Sequence, residues 1–448
     1  MKSHMFREYD IRGTYPDELS GETVVRLGRA MAAYYLDKGV ERISLGRDCR
    51  LSSPTIAGWL TQGLLASGMG VVDVGMVPTP VLYFSLHHLN VDGGIQITGS
   101  HNPPEFNGFK VCLGKMSVYG NEIQKIREIA ESGTFPAGEG KKESMDVISA
   151  YGRTVEEGIE VGPVKRKVVV DGGNGMGCPV ASRIYQRLGF EVVPLFCEPD
   201  GRFPNHHPDP TIPENLSRMI STVEESGADL GIAFDGDADR IGVTDRQGNM
   251  IWGDQLLILF SRDLLLRHPG AKIIGEVKCS QVLYDDIRKH GGQGIMWKAG
   301  HSLIKSKMKE EGALLAGEMS GHLFFSERYL GYDDAIYAGG RLLEILSKTD
   351  AAVEDLLGDV PKTANTPEIR MECPDERKFE IVRSLVTEFK KTREVIDVDG
   401  ARVLFDGGWG LIRPSNTQPV LVLRFEAENE QRLEEIQKEF MEKVKKYL

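Results

Sequence analysis

At 448 residues, with 41% hydrophobic and 27% charged residues, the chain is too long for one small module and has globular rather than disordered or collagen-like usage. A prior of about 150 residues per domain gives about three domains. The formal net charge of −12 repels polyanions, so nucleic acid is not an expected partner, although a local basic cleft for a small anion is compatible with it. The six cysteines (Cys49, Cys112, Cys178, Cys197, Cys279, Cys373) include no C-x-x-C pair, which suggests neither zinc nor a redox motif; reduced thiols in the cytoplasm are expected. No membrane association is expected either. The most apolar long window, Leu256 to Leu266, is broken by Arg262 and Asp263, far short of the roughly 20 residues a span needs. The segment MKSHMFREYDIRG has no apolar stretch of the kind a secretory signal carries.

In chain order, β-rich runs alternate with helical patterns from Ile43: ERISLGRD, PTIAGWLTQGLLASG, GVVDVGMVP and GGIQIT, the rhythm of α/β layers. A second unit starts after the Gly/Lys/Glu stretch 137–143, with KRKVVVDGG, a helix over 178–188, FEVVPLF, a helix over 214–226, and DLGIAF. A third carries AKIIGEVK, GGQGIMWK and GALLAGE with helices between them. These three read as distant structural repeats. The tail differs, since a helix over 376–391 is followed by short strands separated by two Asp-Gly turns, which argues hairpins and an antiparallel sheet. The last helix places Leu433, Ile436, Phe440 and Val444 on one face, a core face. The expected fold is therefore α/β with four domains: 1–145, 146–250 and 251–362 as mixed α/β layers, and 363–448 as an α+β domain with an antiparallel sheet. The segment Pro361–Pro367 is the expected hinge.

Four apolar runs stop abruptly in dense polar motifs: GGIQIT into GSHNP, DLGIAF into DGDADR, ALLA into GEMSGH, and GLI into RPSNTQP. Ligands collect at the carboxyl ends of strands in open α/β sheets, so one such motif per domain predicts four loops facing a common cleft. Asp235, Asp237 and Asp239 alternate, which in extended backbone turns three carboxylates to one side, costly unless a hard cation such as Mg²⁺ neutralises them. An EF-hand fails, because Arg240 and Arg246 stand where Gly and Glu are required. Ser100 follows Gly99, expected to allow an unusual backbone angle, and precedes Pro103 and Pro104, so it sits on a rigid turn. His101 and Lys110 offer a proton carrier and a cation nearby.

In RPSNTQP, Arg413, Ser415, Asn416 and Thr417 offer a guanidinium fork, hydroxyls and an amide, a cradle for a phosphate dianion. Glu318, Ser320 and His322 in GEMSGH suit sugar hydroxyls. Taken singly, each motif also reads as a solvated turn. The segment VVVDGGNGMG matches no G-x-G-x-x-G register and no Walker A sequence occurs, so nucleotide binding has no support.

In this order and spacing the four motifs, with YDIRG at 9–13 and KAGH at 298–301, resemble the α-D-phosphohexomutases over essentially the whole chain, and most of all their bacterial phosphomannomutase/phosphoglucomutase branch. The resemblance implies four domains around a central cleft, the fourth rotating to close it. It implies that Ser100 is the phosphoserine, that Asp235, Asp237, Asp239 and the seryl phosphate hold one Mg²⁺ per chain, and that Arg12, Lys110 and Arg240 surround the transferring phosphoryl group. Tyr9, Lys278 and His301 match ligand-contacting positions, Glu318 and Ser320 the readers of sugar hydroxyls, and 413–417 the binder of the non-reacting phosphate. The chain departs from the wider family at Gly99, where Ala is usual, and at Gln418, where many members have Glu.

The activity implied is reversible conversion of glucose and mannose 1-phosphates to 6-phosphates through a hexose 1,6-bisphosphate, which is intermediate and activator. The implied partners are small sugar phosphates, in a monomer or weak homodimer. Three alternatives stand beside it: a phosphoglucosamine mutase, whose branch differs at the position of Met319 and in the phosphate loop; a sugar phosphatase with an Asp nucleophile in AFDGDAD; and a non-catalytic sugar-phosphate-binding regulator.

Overall fold

The computed structural model describes residues 1–416 and 418–448. Its strands form four sheets, and the first three repeat one pattern. In the first sheet Gly70–Met76, Arg42–Arg47 and Gly93–Ile97 run parallel, and Phe106–Leu113 then pairs antiparallel with Gly93–Ile97. The second repeats this with Glu191–Leu195, Lys167–Asp171 and Leu230–Phe234 parallel and Ile241–Asp245 antiparallel. The third does so with Gln293–Trp297, Lys272–Glu276 and Leu315–Gly317 parallel and Leu323–Phe325 antiparallel. Central strands such as Gly93–Ile97 and Leu230–Phe234 are buried at every position, which is why they read as near-continuous apolar runs, with Gln96 the one polar side chain in the first.

The polar motifs therefore do not open into helices, as ordinary open α/β sheets would have it. Each of the first three closes a hairpin between the third parallel strand and the antiparallel fourth, and the last closes the hairpin between Gly408–Pro414 and Val420–Ala427. A hairpin loop is pinned at both ends by ladder hydrogen bonds. Its side chains are thus held more firmly than those of a free crossover.

The fourth sheet is antiparallel, as the Asp-Gly turns predict, with Ala401–Phe405 between Val395–Ile396 and Gly408–Pro414. Part of the expected hinge belongs to it: Ala364–Asn365 pairs with Val420–Ala427, so the segment from Pro361 to Pro367 is not free throughout. The helices Asp375–Phe389 and Glu430–Val444 cover this sheet, and Leu433, Ile436, Phe440 and Val444 are buried as their spacing predicts. One apolar cluster links the first three domains from Val72 to Val353, beside a large cluster within the first domain from Met5 to Ala130, and the fourth domain has its own. The third and fourth domains are joined by a small patch of Val277, Trp409 and Leu411. Beside that patch the fully buried Arg402 lies 3.7 Å from the Trp409 ring and donates to the carbonyls of Val277 and Cys279, both at 2.7 Å.

Cys178 and Cys197, 19 residues apart in sequence, lie side by side with Cα atoms 5.0 Å apart, and the other four cysteines stand as separate thiols. Among the described residues no helix is long and apolar enough to cross a membrane.

Phe440 stacks on Phe389 at 4.7 Å and meets Phe425 edge-on at 5.2 Å. Phe440→Ala is expected to cost about 3–5 kcal/mol, confined to the fourth domain. Hydrogen exchange with urea titration checks this; equal loss of protection in the first three domains would contradict a separate core.

Candidate active site

The serine motif is built around a buried arginine. Arg50, 1% exposed, donates to the carbonyls of Ser100 (2.8 Å), Asn102 (2.6 Å), Pro103 (2.6 Å) and Phe106 (3.0 Å), tying the loop into one shape. Asp48 accepts from the Gly99 N–H at 3.1 Å and pairs with Arg50. This corrects the expectation for Gly99. The left-handed residue is Ser100 itself, at φ 48°, whereas a Cβ on Gly99 would lie 2.5 Å from the Arg50 guanidinium. Glycine is needed there for space, and the backbone strain falls on the serine.

Strain of this kind persists only when the surroundings fix it, and they do. The Ser100 N–H donates to Thr98 Oγ1 at 2.8 Å, and Ser100 Oγ donates to Asp235 Oδ2 at 2.6 Å and lies 3.0 Å from His101 Nδ1. Burial and the nearby cations of Arg240, Arg12 and Lys110 push His101 well below the ordinary histidine range, so its ring is neutral.

The acidic loop faces this serine. Asp235, Asp237 and Asp239 are fully buried, with carboxylate oxygens within 4.8 Å of one another. Burial, then Asp237 and Asp239, push Asp235 well above the ordinary carboxylate range. Asp237 is buried too, but Lys110 and the Thr79 hydroxyl, 2.5 Å away, hold it below that range. Lys110 donates to Asp237 at 2.8 Å and to Asp239; burial works against its charge, and the two carboxylates outweigh it. Even so, Asp237 Oδ1 and Asp239 Oδ1 are buried without a hydrogen-bond partner among the described residues. Orphaned oxygens in an all-oxygen cluster beside a serine are what a hard divalent cation such as Mg²⁺ needs, so these residues fit the ion.

Arg12 joins the serine loop, donating to Asp10 at 2.7 Å and to Asn102 at 3.1 Å. Arg240 donates through Nε to His322 Nε2 at 2.9 Å, and the other ring nitrogen of His322 is 3.1 Å from Asp333. His322 stacks on His301, with ring centroids 5.5 Å apart, and His301 meets the Tyr9 ring at 6.0 Å. These rings connect the serine side of the cleft to the other side. There Tyr9 donates to the carbonyl of Ala299 at 2.9 Å and accepts from Asn416 at 2.8 Å, while Glu318 accepts from the Gly300 N–H at 2.6 Å. Ser320 lies half-buried in the Glu318 turn, and Lys278 lies 3.2 Å from Glu368. Arg413 is buried and donates through Nε to Asp399 at 2.8 Å. Ser415 Oγ accepts from the Gln418 N–H at 3.1 Å, and Thr417 lies outside the described residues.

The sequence matches four domain families described as Phosphoglucomutase/phosphomannomutase: alpha/beta/alpha domain I at residues 3–137, domain II at 149–248, domain III at 252–364, and the C-terminal domain at 368–443. The chain belongs to the phosphoglucomutase/phosphomannomutase family. A "Phosphomannomutase/phosphoglucomutase" of Pseudomonas aeruginosa is 46% identical over 99% of this chain and 96% of its own length. A "Phosphoglucomutase" of Neisseria gonorrhoeae is 47% identical over 97% and 95%. A crystal structure of a phosphoglucomutase/phosphomannomutase family protein from Burkholderia thailandensis, 42% identical, superposes with a TM-score of 0.94 over 100% of this chain and 98% of that one.

Against that family frame, several residues that organise the site escape motif reading: Asp48 and Arg50 under the serine loop, Thr79 on Asp237, and Lys378, which donates to the carbonyls of Ser415 and Gln418. The run GRDCR, also polar at the end of an apolar strand, was the available signal for the first two.

Because the cluster is preformed, Mg²⁺ at a hundred times its Kd should stabilise the fold by about 2.7 kcal/mol. Thermal unfolding with and without Mg²⁺ reads this directly. Asp237→Ala is expected to remove the magnesium-dependent rise in Tm, and a full rise in that variant would place the ion elsewhere.

Proposed function

We propose that the chain is a reversible mutase interconverting the 1- and 6-phosphates of glucose and mannose through a phosphorylated Ser100. One observation carries this reading: a strained, buried serine whose Oγ touches a three-carboxylate loop from another domain, across one cleft from a second anion cradle. Neither half alone accounts for the other.

Phosphoryl transfer has a loose transition state, so the protein's task is to position groups and offset charge. Held by Asp235, Asp237 and Asp239, Mg²⁺ supplies Lewis-acid stabilisation of the phosphoryl oxygens. Arg12, Lys110 and Arg240 are the cations around the same group. In the first half-reaction the Ser100 Oγ–P bond breaks and a bond forms from phosphorus to the free hydroxyl of a hexose monophosphate. The proton that the hydroxyl loses ends on the departing Ser100 Oγ, and His101, 3.0 Å from that oxygen, is placed to carry it across. The 1,6-bisphosphate so formed turns end over end and returns its other phosphate to Ser100. Arg413, Ser415, Asn416 and Thr417 hold whichever phosphate is not reacting, with Tyr9, Lys278 and His301 lining the cleft between. Glu318 and Ser320 read sugar hydroxyls, with His322 beside them. A fourth domain with its own core can move enough to allow the turn.

An aspartyl phosphatase with Asp235 as nucleophile would leave the left-handed Ser100, whose Oγ donates to Asp235 Oδ2 at 2.6 Å, and the Arg413 loop across the cleft without a role. A regulator that only binds sugar phosphates would have no use for the strained serine.

Ser100→Ala is expected to lower kcat about a thousandfold or more, since it removes the phosphate carrier. A variant retaining a few per cent of wild-type turnover would exclude the phosphoserine route. Glucose and mannose differ at C2, and no C2 reader is assigned, so kcat/KM for their 1-phosphates should agree within roughly tenfold, about 1.4 kcal/mol. Steady-state kinetics decide this; a strong preference for glucosamine phosphate would move the chain to another branch.

A further inference from the structure

We propose that Asp399, which lies in none of the polar motifs, is the positioning residue of the distal phosphate site: it aims the Arg413 guanidinium and ties the fourth domain to the sugar-binding turn of the third. The inference rests on Arg413 as a phosphate binder.

Asp399 stands in the turn between Val395–Ile396 and Ala401–Phe405. The turn is seated directly on Arg413, because a Cβ at Gly400, φ 89°, would lie 2.8 Å from Arg413 Cα. One oxygen of Asp399, Oδ2, accepts from two domains at once: from Arg413 Nε at 2.8 Å and from the backbone N–H of Ala299 at 3.1 Å. Bonding through Nε fixes the plane of the guanidinium and leaves its Nη edge for a ligand; among the described residues nothing accepts from Nη1 or Nη2. A guanidinium gripped from the Nε side presents two parallel N–H groups, the geometry that matches phosphate oxygens. Both partners are nearly dry, with side chains 8% and 10% exposed, so losing the carboxylate leaves a buried cation without its counter-charge.

The second contact extends the effect. Ala299 and Gly300 are gripped by three parts of the cleft: Asp399 takes the Ala299 N–H, Tyr9 donates to the Ala299 carbonyl at 2.9 Å, and Glu318 takes the Gly300 N–H at 2.6 Å. Tyr9 in turn accepts from Asn416 of the phosphate loop at 2.8 Å. The turn beside Glu318 is therefore set in part by a carboxylate of the fourth domain. Phosphate capture and sugar placement share one anchor.

A double-mutant cycle on the full-length protein, with glucose 1-phosphate as substrate, tests this. Asp399→Ala should raise KM about tenfold or more with a smaller fall in kcat, and in an Arg413→Ala background the same change should add less than about twofold. Asp399→Asn, which keeps the shape and one acceptor, should fall between wild type and Asp399→Ala, and it carries the cycle if the alanine variant does not fold. Hydrogen exchange at 298–301 should quicken in both Asp399 variants, and more in Asp399→Ala than in Asp399→Asn. Additive effects of the two substitutions, or an unchanged KM, overturn the role of Asp399. A wild-type KM in Arg413→Ala alone, or no wild-type turnover of glucose 1-phosphate, instead overturns the phosphate-site reading and the inference with it.

Discussion

Asp235, Asp237 and Asp239 are fully buried within a few ångströms of one another, and carboxylates so placed stay ionised only where cations offset them. Much of the cleft answers that requirement. Lys110 spans two of the three, Thr79 and two backbone N–H groups satisfy further oxygens, and a divalent ion fits the ones left over. Ser100 is pressed against the same loop and is left-handed because Arg50 and Asp48 hold its neighbours. The serine, the carboxylate loop and Lys110 are thus already in place in this conformation. Preorganisation of this kind is what phosphoryl transfer rewards.

The repeated sheet explains how the parts meet. In each of the first three domains the site loop joins the third parallel strand to an antiparallel fourth, so three hairpins of similar build present their tips to one cleft. An apolar cluster shared by the first three domains packs this wall together, and the fourth domain, with its own core, meets it across a small apolar seam. A mutase must hold either end of its intermediate, which suits a rigid reacting end and a movable distal one.

The four motifs were legible because each packs several polar residues directly after an apolar run, a pattern with few structural uses. The four-domain α/β build was legible from the alternation of β-rich and helical runs, and the core face of the last helix from periodicity, since Leu433, Ile436, Phe440 and Val444 recur at helical spacing. The antiparallel strand Phe106–Leu113 was not, because the buried Asn107 and Lys110 interrupt its apolar pattern. Arg50, Lys378 and Asp399 were hidden for another reason. Each is a single charged residue whose partners lie close only in the fold. The closeness of Cys178 and Cys197 likewise depends on the helix start and strand end that bring them together, and the position of Ser100 in the left-handed region was masked by the glycine before it.

The central claim is that Ser100 carries the phosphate between sugar and sugar. It is tested most directly by a single-turnover experiment: enzyme loaded with glucose 1,6-bisphosphate is freed of ligand, mixed with one equivalent of glucose 1-phosphate, quenched, and its intact mass and sugar products are read together. The account predicts that the loaded protein is heavier by ~80 Da. It also predicts that this mass disappears as glucose 1,6-bisphosphate forms in equal amount, and that Ser100→Ala never gains it. Loss of the added mass as free inorganic phosphate, or loading on a residue other than Ser100, would contradict it.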